Sequence, residues 1–204
     1  MKIVLASASP RRAQLFRQMN LEFIIDPSDI TEKIDEALSP FEIVASLASQ
    51  KGLDVSSKHN NSFIVAADTI VVSEDNILGK PTSTGEAAAM LSSLSGKTHE
   101  VYSGVWAAKT GSDGTVDSYF SFSERTKVTF SPLTQEEIDV YVQTGSPMDK
   151  AGGYGIQDDA GALFIREING DYYNVVGFPM NAFYQKLKSA MPEIFQRIFH
   201  TPTR

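Results

Sequence analysis

The stretch FIVAADTIVV, from Phe63 to Val72, is a continuous apolar run with a single charged residue, Asp68. Its β-branched residues favour a strand over a helix, and the lack of polar alternation is typical of a strand covered on both faces. A carboxylate there is costly unless it is paired, protonated or bound to a cation, although backbone amides or a lysine could satisfy it. If the strand ends here, Asp68 and Thr69 lie at the mouth of a sheet, where α/β proteins usually bind ligands.

The composition fits one sizeable domain or two small lobes around a cleft, since the chain has 204 residues and 42% hydrophobic content. There is no cysteine, so disulfides, cysteine-bound zinc and thiol nucleophiles are excluded. The histidines His59, His99 and His200 show no metal-binding spacing, and each is predicted to be an ordinary surface or core residue.

The charge and hydropathy patterns predict a soluble cytoplasmic protein with no membrane partner. Met1 leads straight into a strand pattern without signal-peptide features, and no run of about 18 apolar residues is present. The formal net charge is -7 and the basic residues form no dense run, so binding to a nucleic acid polymer is disfavoured. A small anionic ligand held by a few cations is compatible with this charge.

Strand and helix patterns alternate along the chain, which predicts the α/β class. Strands are expected at 3–6, 21–26, 63–72, 77–78, 98–109 and 116–130, and then a hairpin in which ALFIREI and DYYNVV pair across an Asn169-Gly170 turn. Helices are expected after Ser9, after the capping boxes Ser39–Glu42 and Ser83–Glu86, after Thr134, and as one last helix from about Pro179 to Phe199.

The segment LASASPRRAQLF, at 5–16, predicts a strand that leads into a helix with Ser9 as N-cap. Arg11 and Arg12 follow, although the positive end of a helix dipole favours acidic side chains there. Free backbone amides, small residues such as Ser7, and two guanidinium groups would suit a phosphate-bearing anion. Both arginines could equally extend into solvent.

Two lysines and a glutamine could join such a site. Lys51 lies late on the second predicted helix, and Lys80 directly precedes a proline, but either could be a solvated lysine. Gln157 lies in a glycine-rich loop and could bind a base edge through its amide, although the glycines could simply form a turn.

A second carboxylate for a divalent metal could come from the polar stretch at 28–36. Glu32 is one candidate, and Asp29, Asp35 and Glu36 would serve equally on spacing alone. Carboxylate oxygens are the ligands that Mg²⁺ prefers.

The order of several motifs along the chain resembles the Maf-like nucleoside triphosphate pyrophosphatases. These motifs are SASPRRAQLF, AADTIVV, GKP at 79–81, LSGKTHEVYSGV at 94–105, DKAGGYGIQ and NGDYYNVVGFP. The resemblance spans nearly the whole chain. It implies a two-lobed, mixed-sheet α/β fold similar to the inosine triphosphate pyrophosphatases, with a nucleotide cleft between the lobes, and a homodimer.

The resemblance also implies a reaction, the hydrolysis of a nucleoside triphosphate to its monophosphate and pyrophosphate. In the family pattern, Asp68 would activate water as general base, and Lys51 and Lys80 would face the triphosphate. Glu32 and Asp68 would hold Mg²⁺ or Mn²⁺.

The substrate-binding positions that the resemblance implies are Ser7, Ser9, Arg11, Arg12, Thr69 and Gln157. Of these, Arg12, Thr69 and Gln157 match the subfamily that acts on dTTP and UTP. Two departures bear on base preference: Asp158-Asp159-Ala160 follows Gln157 where the family usually continues with glycine, and Gly52 stands where alanine is common.

Two other functions compete with this interpretation. A non-catalytic nucleotide-binding regulator of cell division would bind nucleotides without releasing pyrophosphate. A nucleoside-phosphate phosphatase or kinase on a related scaffold would differ in its products, with inorganic phosphate in place of pyrophosphate. Asp68 favours the enzyme, because a carboxylate does not help a protein that merely binds an anion.

Overall fold

The computed structural model describes residues 1–35, 37–157 and 160–200. Its strands are β1 Lys2–Leu5, β2 Ile24–Ile25, β3 Ser62–Ser73, β4 Asn76–Leu78, β5 Thr98–Thr110, β6 Val116–Phe130 and β7 Ile165–Asn169. Its α-helices are α1 Pro10–Gln18, α2 Pro40–Ser56, α3 Thr84–Leu94, α4 Gln135–Gln143, α5 Tyr172–Val176, α6 Met180–Ala190 and α7 Pro192–Phe199. This order confirms the predicted α/β class.

The strands form a mixed sheet in the order β2-β1-β3-β5-β6-β7, with β4 on β3. β1 is parallel to both β2 and β3, with Val4 opposite Ile24 and Lys2 opposite Ser62. Parallel neighbours need a crossover, and α1 and α2 lie in the connections between these strands. β4 and β7 pair antiparallel with β3 and β6. The mixed sheet that the resemblance implied is confirmed.

The chain divides into two compact units. Unit 1 comprises the described parts of Met1–Asp68, Gly104–Glu124 and Gly177–Arg204, and unit 2 comprises those of Thr69–Ser103 and Arg125–Val176. The boundary falls between Asp68 and Thr69, two neighbouring candidates. The expected placement of a nucleotide cleft between two lobes of one domain stays a prediction.

The core of unit 1 packs β1, β3 and β5 against α2, and its buried side chains include Val4, Ala48, Val55, Ile64, Ala66 and Trp106. Two glycines allow this close approach. A Cβ on Gly52 would lie 2.1 Å from the ring of Trp106, and one on Gly104 would lie 2.2 Å from the carbonyl oxygen of Val44. The large Trp106 ring therefore explains why glycine, and not alanine, follows Lys51.

The core of unit 2 is rich in aromatic residues, with Phe130, Tyr141, Tyr154 and Phe164 buried among aliphatic side chains of α3 and α4. His99 lies in this core and is 1% exposed. Its Nε2 lies 2.7 Å from the hydroxyl of Tyr154, and burial lowers the pKa of His99 to about 4. His99 is therefore a core histidine, one of the two ordinary settings that we predicted for it.

The predicted helix starts are confirmed with one exception. Ser9 caps α1, and complete capping boxes open α2 at Ser39 and α4 at Thr134. At α3, Ser83 accepts from the backbone amide of Glu86 as expected. The Glu86 carboxylate instead accepts from Thr82 N and Oγ1, so the predicted reciprocal box was wrong.

The hairpin predicted at 162–176 was wrong. Only Ile165–Asn169 is a strand, and it pairs with β6. Residues 172–176 form α5, which Asp171 starts by accepting a hydrogen bond from Tyr173 N at 2.8 Å. A capping aspartate therefore prevailed over the β-branched and aromatic content of DYYNVV.

Two further boundaries differ from those predicted. The strand expected at 21–26 is reduced to Ile24–Ile25, because Leu21 N still bonds to Phe16 O at the end of α1. The single helix expected from Pro179 to Phe199 is divided into α6 and α7, since Pro192 occupies the first turn of a new helix. Glu36, Asp158, Asp159 and residues 201–204 lie outside the described residues.

Candidate functional site

Asp68 lies in the middle of β3 and not at its end, so the condition for a position at the mouth of a sheet is not met. All twelve residues of β3 are described, and ten of them are buried while Asp68 and Thr69 are half-buried. A break in burial at two adjacent residues marks the point where this strand opens to a ligand or solvent. The candidate site is therefore set into the strand.

Lys51 joins two carboxylates. Its Nζ contacts Asp68 Oδ1 and lies 3.0 Å from Glu32 Oε1. The side chains of Lys51 and Asp68 are 17% and 13% exposed, whereas Glu32 is 42% exposed. Of the two partners that could satisfy Asp68, backbone amides or a lysine, the structure shows a lysine. The single positive charge of Lys51 is shared between two carboxylates.

Gln50 explains why Glu32, among several acids at 28–36, reaches this lysine. Its side-chain amide accepts from Lys33 N at 3.0 Å and donates to Lys33 O at 2.9 Å. This pair of hydrogen bonds clamps the backbone next to Glu32 onto α2, one residue from Lys51. Asp35 instead accepts from Ala37 N within its own turn.

The chemistry of this donor set fits a divalent metal. Mg²⁺ usually takes one or two carboxylates from the protein and completes its coordination with water and substrate phosphates. Glu32 and Asp68 are two such carboxylates converging on one cation. Within residues 1–35, 37–157 and 160–200, no group of three or more histidine, aspartate or glutamate side chains is placed to hold a metal by itself.

Arg12 is held within unit 1 and does not simply extend into solvent. Its Nε donates to Gly177 O at 2.9 Å and its Nη1 donates to Ser7 Oγ at 3.2 Å. Burial lowers the pKa of Arg12, and the negative charges of Asp68 and Glu32 oppose that effect. The guanidinium group therefore shares the electrostatic environment of both carboxylates.

The remaining candidates of α1 lie around this guanidinium group. Ser9 Oγ accepts from Arg12 N at 3.4 Å, and Ser9 N donates to Ser7 Oγ at 3.2 Å. Arg11 is partly buried, and its positive charge contributes to the lowered pKa of Arg12. The structure thus brings Ser7, Ser9, Arg11 and Arg12 together at the start of the helix.

Lys80 and Gln157 belong to unit 2. Lys80 is exposed, and Gln157 is half-buried at the end of the glycine-rich loop. Gly152 N donates to Gly79 O at 3.0 Å, so the segment that carries Lys80 is bonded to this loop. Gly152 has φ 70°, which favours glycine, and a Cβ at this position would lie 3.1 Å from the side chain of Val71.

Two residues of unit 2 near Thr69 were not singled out from the sequence. Ser103 contacts Thr69 directly, and Asn174 is hydrogen-bonded to Ser103. Ser103 Oγ lies 2.8 Å from Thr69 Oγ1, and Ser103 donates to the carbonyl oxygen of Asn174 at 3.2 Å. Both stand in quoted motifs, YSG and DYYN, but nothing local distinguishes them. Gln50 and the Gly177 carbonyl were missed for the same reason.

A separate cavity of about 950 Å³ lies in unit 1, lined by the start of β1, by 19–24 and by the end of α7. None of the candidate residues lines it. Its walls are divided between polar and apolar groups without a cluster of catalytic side chains, so we place the functional site at Asp68.

The fold and the site define an α/β protein with a cation-rich helix start beside a lysine-bridged pair of carboxylates, as expected for an enzyme acting on a phosphate ester or anhydride. Residues 2–190 match the family model described as "Maf-like protein". The chain therefore belongs to the Maf family.

Curated relatives cover nearly the whole chain. A dTTP/UTP pyrophosphatase of Halalkalibacterium halodurans is 50% identical over 186 residues, covering 91% of this chain and 94% of that protein. A dTTP/UTP pyrophosphatase of Bacillus mycoides is 50% identical over 187 residues, covering 92% and 94%. Among solved structures, the Ham1 protein of Staphylococcus aureus aligns with a TM-score of 0.40 at 17% identity, covering 64% of this chain and 72% of that one.

Proposed function

We propose that this chain is a nucleoside triphosphate pyrophosphatase that hydrolyses dTTP and UTP to the monophosphate and pyrophosphate. The observation that carries the proposal is Asp68, half-buried in an otherwise buried strand, joined through Lys51 to Glu32 and close to Arg12. The two relatives at 50% identity, both named dTTP/UTP pyrophosphatases, support the same activity.

In the proposed reaction, the oxygen of a water molecule attacks the α-phosphorus and the bond to the bridging oxygen breaks, so that pyrophosphate leaves. Asp68 accepts a proton from the attacking water as general base. Lys51 holds the carboxylate in place through its ion pair. No covalent nucleophile is needed, which agrees with a chain that has no cysteine.

The start of α1 binds the triphosphate. Guanidinium groups donate paired hydrogen bonds to phosphate oxygens, and Arg11 and Arg12 both lie in the first turn of the helix. Contacts with Gly177 and Ser7 orient Arg12 in advance, so less conformational freedom is lost when an anion binds. By the resemblance to the family, Lys80 is a further cation for the phosphates, and such cations stabilise the negative charge that develops on pyrophosphate.

Glu32 and Asp68 would hold Mg²⁺ or Mn²⁺. A bound divalent metal would neutralise phosphate charge and increase the acidity of bound water. Lys51 contacts the same two carboxylates, so its positive charge offsets part of the repulsion between their negative charges.

The residues that would select the base are Arg12, Thr69 and Gln157, because these positions match the dTTP/UTP subfamily. A glutamine amide and a threonine hydroxyl can both accept and donate hydrogen bonds, as recognition of a pyrimidine edge requires. The two relatives named for dTTP and UTP support this substrate choice.

The assembly that accompanies this function is a homodimer in the cytoplasm, by the resemblance to the family. Among the described residues, the helices are all too short or too polar to cross a membrane. Sedimentation velocity of the purified protein measures the mass, and a species of one chain would contradict the dimer.

The test of the function is a panel of dTTP, UTP, CTP, GTP and dATP with Mg²⁺ or Mn²⁺, in which monophosphate and pyrophosphate are both quantified. We expect equal amounts of the two products, with dTTP and UTP turned over fastest. Saturable binding without products would favour the regulator of cell division, and release of inorganic phosphate would favour a phosphatase.

Asp68→Asn is the matched variant, because it removes the base while keeping size and shape. We expect its kcat to fall by about a hundredfold to ten-thousandfold. Asp117→Asn is the control, since Asp117 is an exposed acid on β6 that lies 3.7 Å from Lys109. Parent-like turnover in Asp68→Asn would remove Asp68 from the catalytic role.

A further inference from the structure

Residues 28–33 form a strap that carries Glu32 along the surface of α2. Residues 29–33 are all exposed, so hardly any apolar burial fixes this part of the chain. Its position depends on polar contacts with α2, and these lie at the two ends. At one end, Gln50 binds the backbone of Lys33 with two hydrogen bonds of 3.0 and 2.9 Å.

Asp54 holds the other end of the strap. Its Oδ2 accepts from Ser28 Oγ at 2.9 Å, and the backbone of Asp29 adds a further hydrogen bond. Lys58, four residues later, donates to the same oxygen at 3.1 Å and restrains the carboxylate. The hydrogen bonds from Lys58 and Ser28 lower the pKa of Asp54, so its carboxylate is ionised at neutral pH.

The two anchors lie close together on the helix, although the strap between them is long. Their positions on α2 are four residues apart, which is about 6 Å along the helix axis. The five residue steps from Ser28 to Lys33 could span up to about 17 Å if the chain were extended. The strap therefore has slack, and a single anchor would leave Glu32 free to move away from its ion pair.

A third contact comes before the strap begins. Asp26 Oδ2 lies 2.6 Å from His59 Nε2, which ties the residue after β2 to the segment after α2. Glu32 is six residues further along the chain than Asp26, so this contact alone cannot fix its carboxylate. The contacts at the two ends of the strap are needed for that.

We propose that Asp54 is a positioning residue for Glu32. Together with Gln50, it fixes both ends of the strap, so that the Glu32 carboxylate is held 3.0 Å from Lys51 before a divalent metal binds. A ligand that is fixed in advance loses less conformational freedom when it binds its metal. The inference rests on the proposed function and deepens it.

The test measures Mn²⁺ binding by its paramagnetic signal, without nucleotide, in the parent protein, in Ser28→Ala and in Asp54→Ala. We expect both variants to bind Mn²⁺ about tenfold more weakly, the range for lost support of a metal ligand. Ser28→Ala leaves the charge of Asp54 in place, so a similar loss in both variants assigns the effect to the strap. A loss confined to Asp54→Ala, or parent-like affinity in both folded variants, overturns the inference.

Ser57→Ala is the matched control. Ser57 Oγ also bonds to Asp54, at 2.8 Å, but to its main-chain oxygen and not to the carboxylate that holds the strap. The Mn²⁺ affinity of this variant should equal that of the parent. A loss as large as in Ser28→Ala would contradict the proposal, because any change near the end of α2 would then weaken metal binding.

The variant Glu32→Gln shows whether Asp54 acts through Glu32. The carboxylate that the strap presents is already lost in this variant, so adding Asp54→Ala should leave the remaining Mn²⁺ affinity unchanged. A further tenfold loss would mean that Asp54 acts on the metal by another route, and its positioning role would be refuted.

Trypsin cleavage in EDTA separates this inference from the proposed function. Lys33 is an exposed cleavage site within the strap, and cleavage there requires local opening. We expect cleavage after Lys33 to be about tenfold faster in Asp54→Ala, the effect of a lost hydrogen bond to a charged group. An unchanged rate overturns the inference. Faster cleavage in a protein whose parent releases no pyrophosphate overturns only the proposed function.

Discussion

At the scale of single residues, the site depends on a carboxylate whose surroundings are set by two neighbours far along the chain. Lys51 forms ion pairs with both Asp68 and Glu32. The negative charges of these two carboxylates also act on the guanidinium group of Arg12. The local sequence predicted that Asp68 needed a partner, because a charge in an apolar strand is costly. It could not identify the partner, since several lysines and arginines would satisfy the same requirement.

A residue-scale prediction concerns the core histidine, His99. Burial lowers its pKa to about 4 from 6.5, so between these values the unfolded chain binds more protons than the folded one. Stability is therefore kept above pH 6.5 and falls as the pH drops toward 4. From pH 7.5 to pH 5, His99 should cost about 2 kcal/mol of unfolding free energy.

Urea unfolding at the two pH values measures this loss in the parent and in His99→Gln. We expect the variant to lack that part of the pH dependence. Equal pH dependence in the parent and in His99→Gln would show that His99 titrates normally in the folded protein.

At the scale of elements, α2 carries Lys51 and is placed by glycine contacts that no helix propensity reveals. A Cβ on Gly52 would lie 2.1 Å from the Trp106 ring. Gly52→Ala should therefore destabilise the protein by about 1–3 kcal/mol, as overpacking of a tight core does. Gly85, on α3, has its nearest atom at 4.0 Å.

Gly85→Ala is the matched control and should stabilise the protein by about 0.4–1 kcal/mol, because alanine loses less backbone entropy in a helix. The free energy of unfolding in urea measures both variants at one pH. If both variants changed the free energy of unfolding in the same direction, the close contact between Gly52 and Trp106 would be contradicted. Both variants add one methyl group to a glycine in a helix, so only the surroundings differ.

A second element-scale prediction concerns the clamp between α2 and the segment at 28–36. Gln50 makes two hydrogen bonds with the backbone of Lys33, next to Glu32. Gln50→Ala should loosen Glu32 and raise the Mg²⁺ concentration needed for half-maximal activity by about tenfold, the range for lost support of a metal ligand. kcat at saturating Mg²⁺ should change less.

Direct titration with Mn²⁺, followed by its paramagnetic signal, checks the same variant without turnover. Gln135→Ala is a suitable control, because Gln135 bonds only to Asp139 on the surface of α4 among the described residues. An unaltered metal affinity in Gln50→Ala would mean that Glu32 is placed by other contacts.

At the scale of the whole molecule, the chain and its proposed substrate carry net charge of the same sign. The formal net charge is -7, and a nucleoside triphosphate is itself strongly negative. The proposed divalent metal would neutralise part of that negative charge beside the cations at the start of α1. We expect excess EDTA to abolish pyrophosphate release and Mg²⁺ or Mn²⁺ to restore it.

The same balance argues against polymer binding. Duplex DNA at moderate salt should show no retardation with the purified protein, because the basic residues form no dense run along the sequence that would neutralise its phosphates.

The outcome that would contradict the metal requirement is pyrophosphate release that persists in EDTA. It would show that the arginines and lysines suffice without a metal.

Local chemistry determined much of this protein from the sequence alone. The α/β class, the caps of α1, α2 and α4, the long strand around Asp68 and the family motifs depend on neighbouring residues, and each was predicted. The wrong strand prediction also came from the local sequence. DYYNVV has strand propensity, but Asp171 and contacts with Thr126 made it a helix.

The tertiary structure alone decided which of these residues meet. Arg12 bonds to the carbonyl of Gly177, 165 residues away, and the lysine that reaches Asp68 also selects Glu32. Such contacts cost loop entropy that only the packing of the whole core offsets, so no short stretch encodes them. For the same reason Ser103 and Asn174 became visible only once the sheet had placed them beside Thr69.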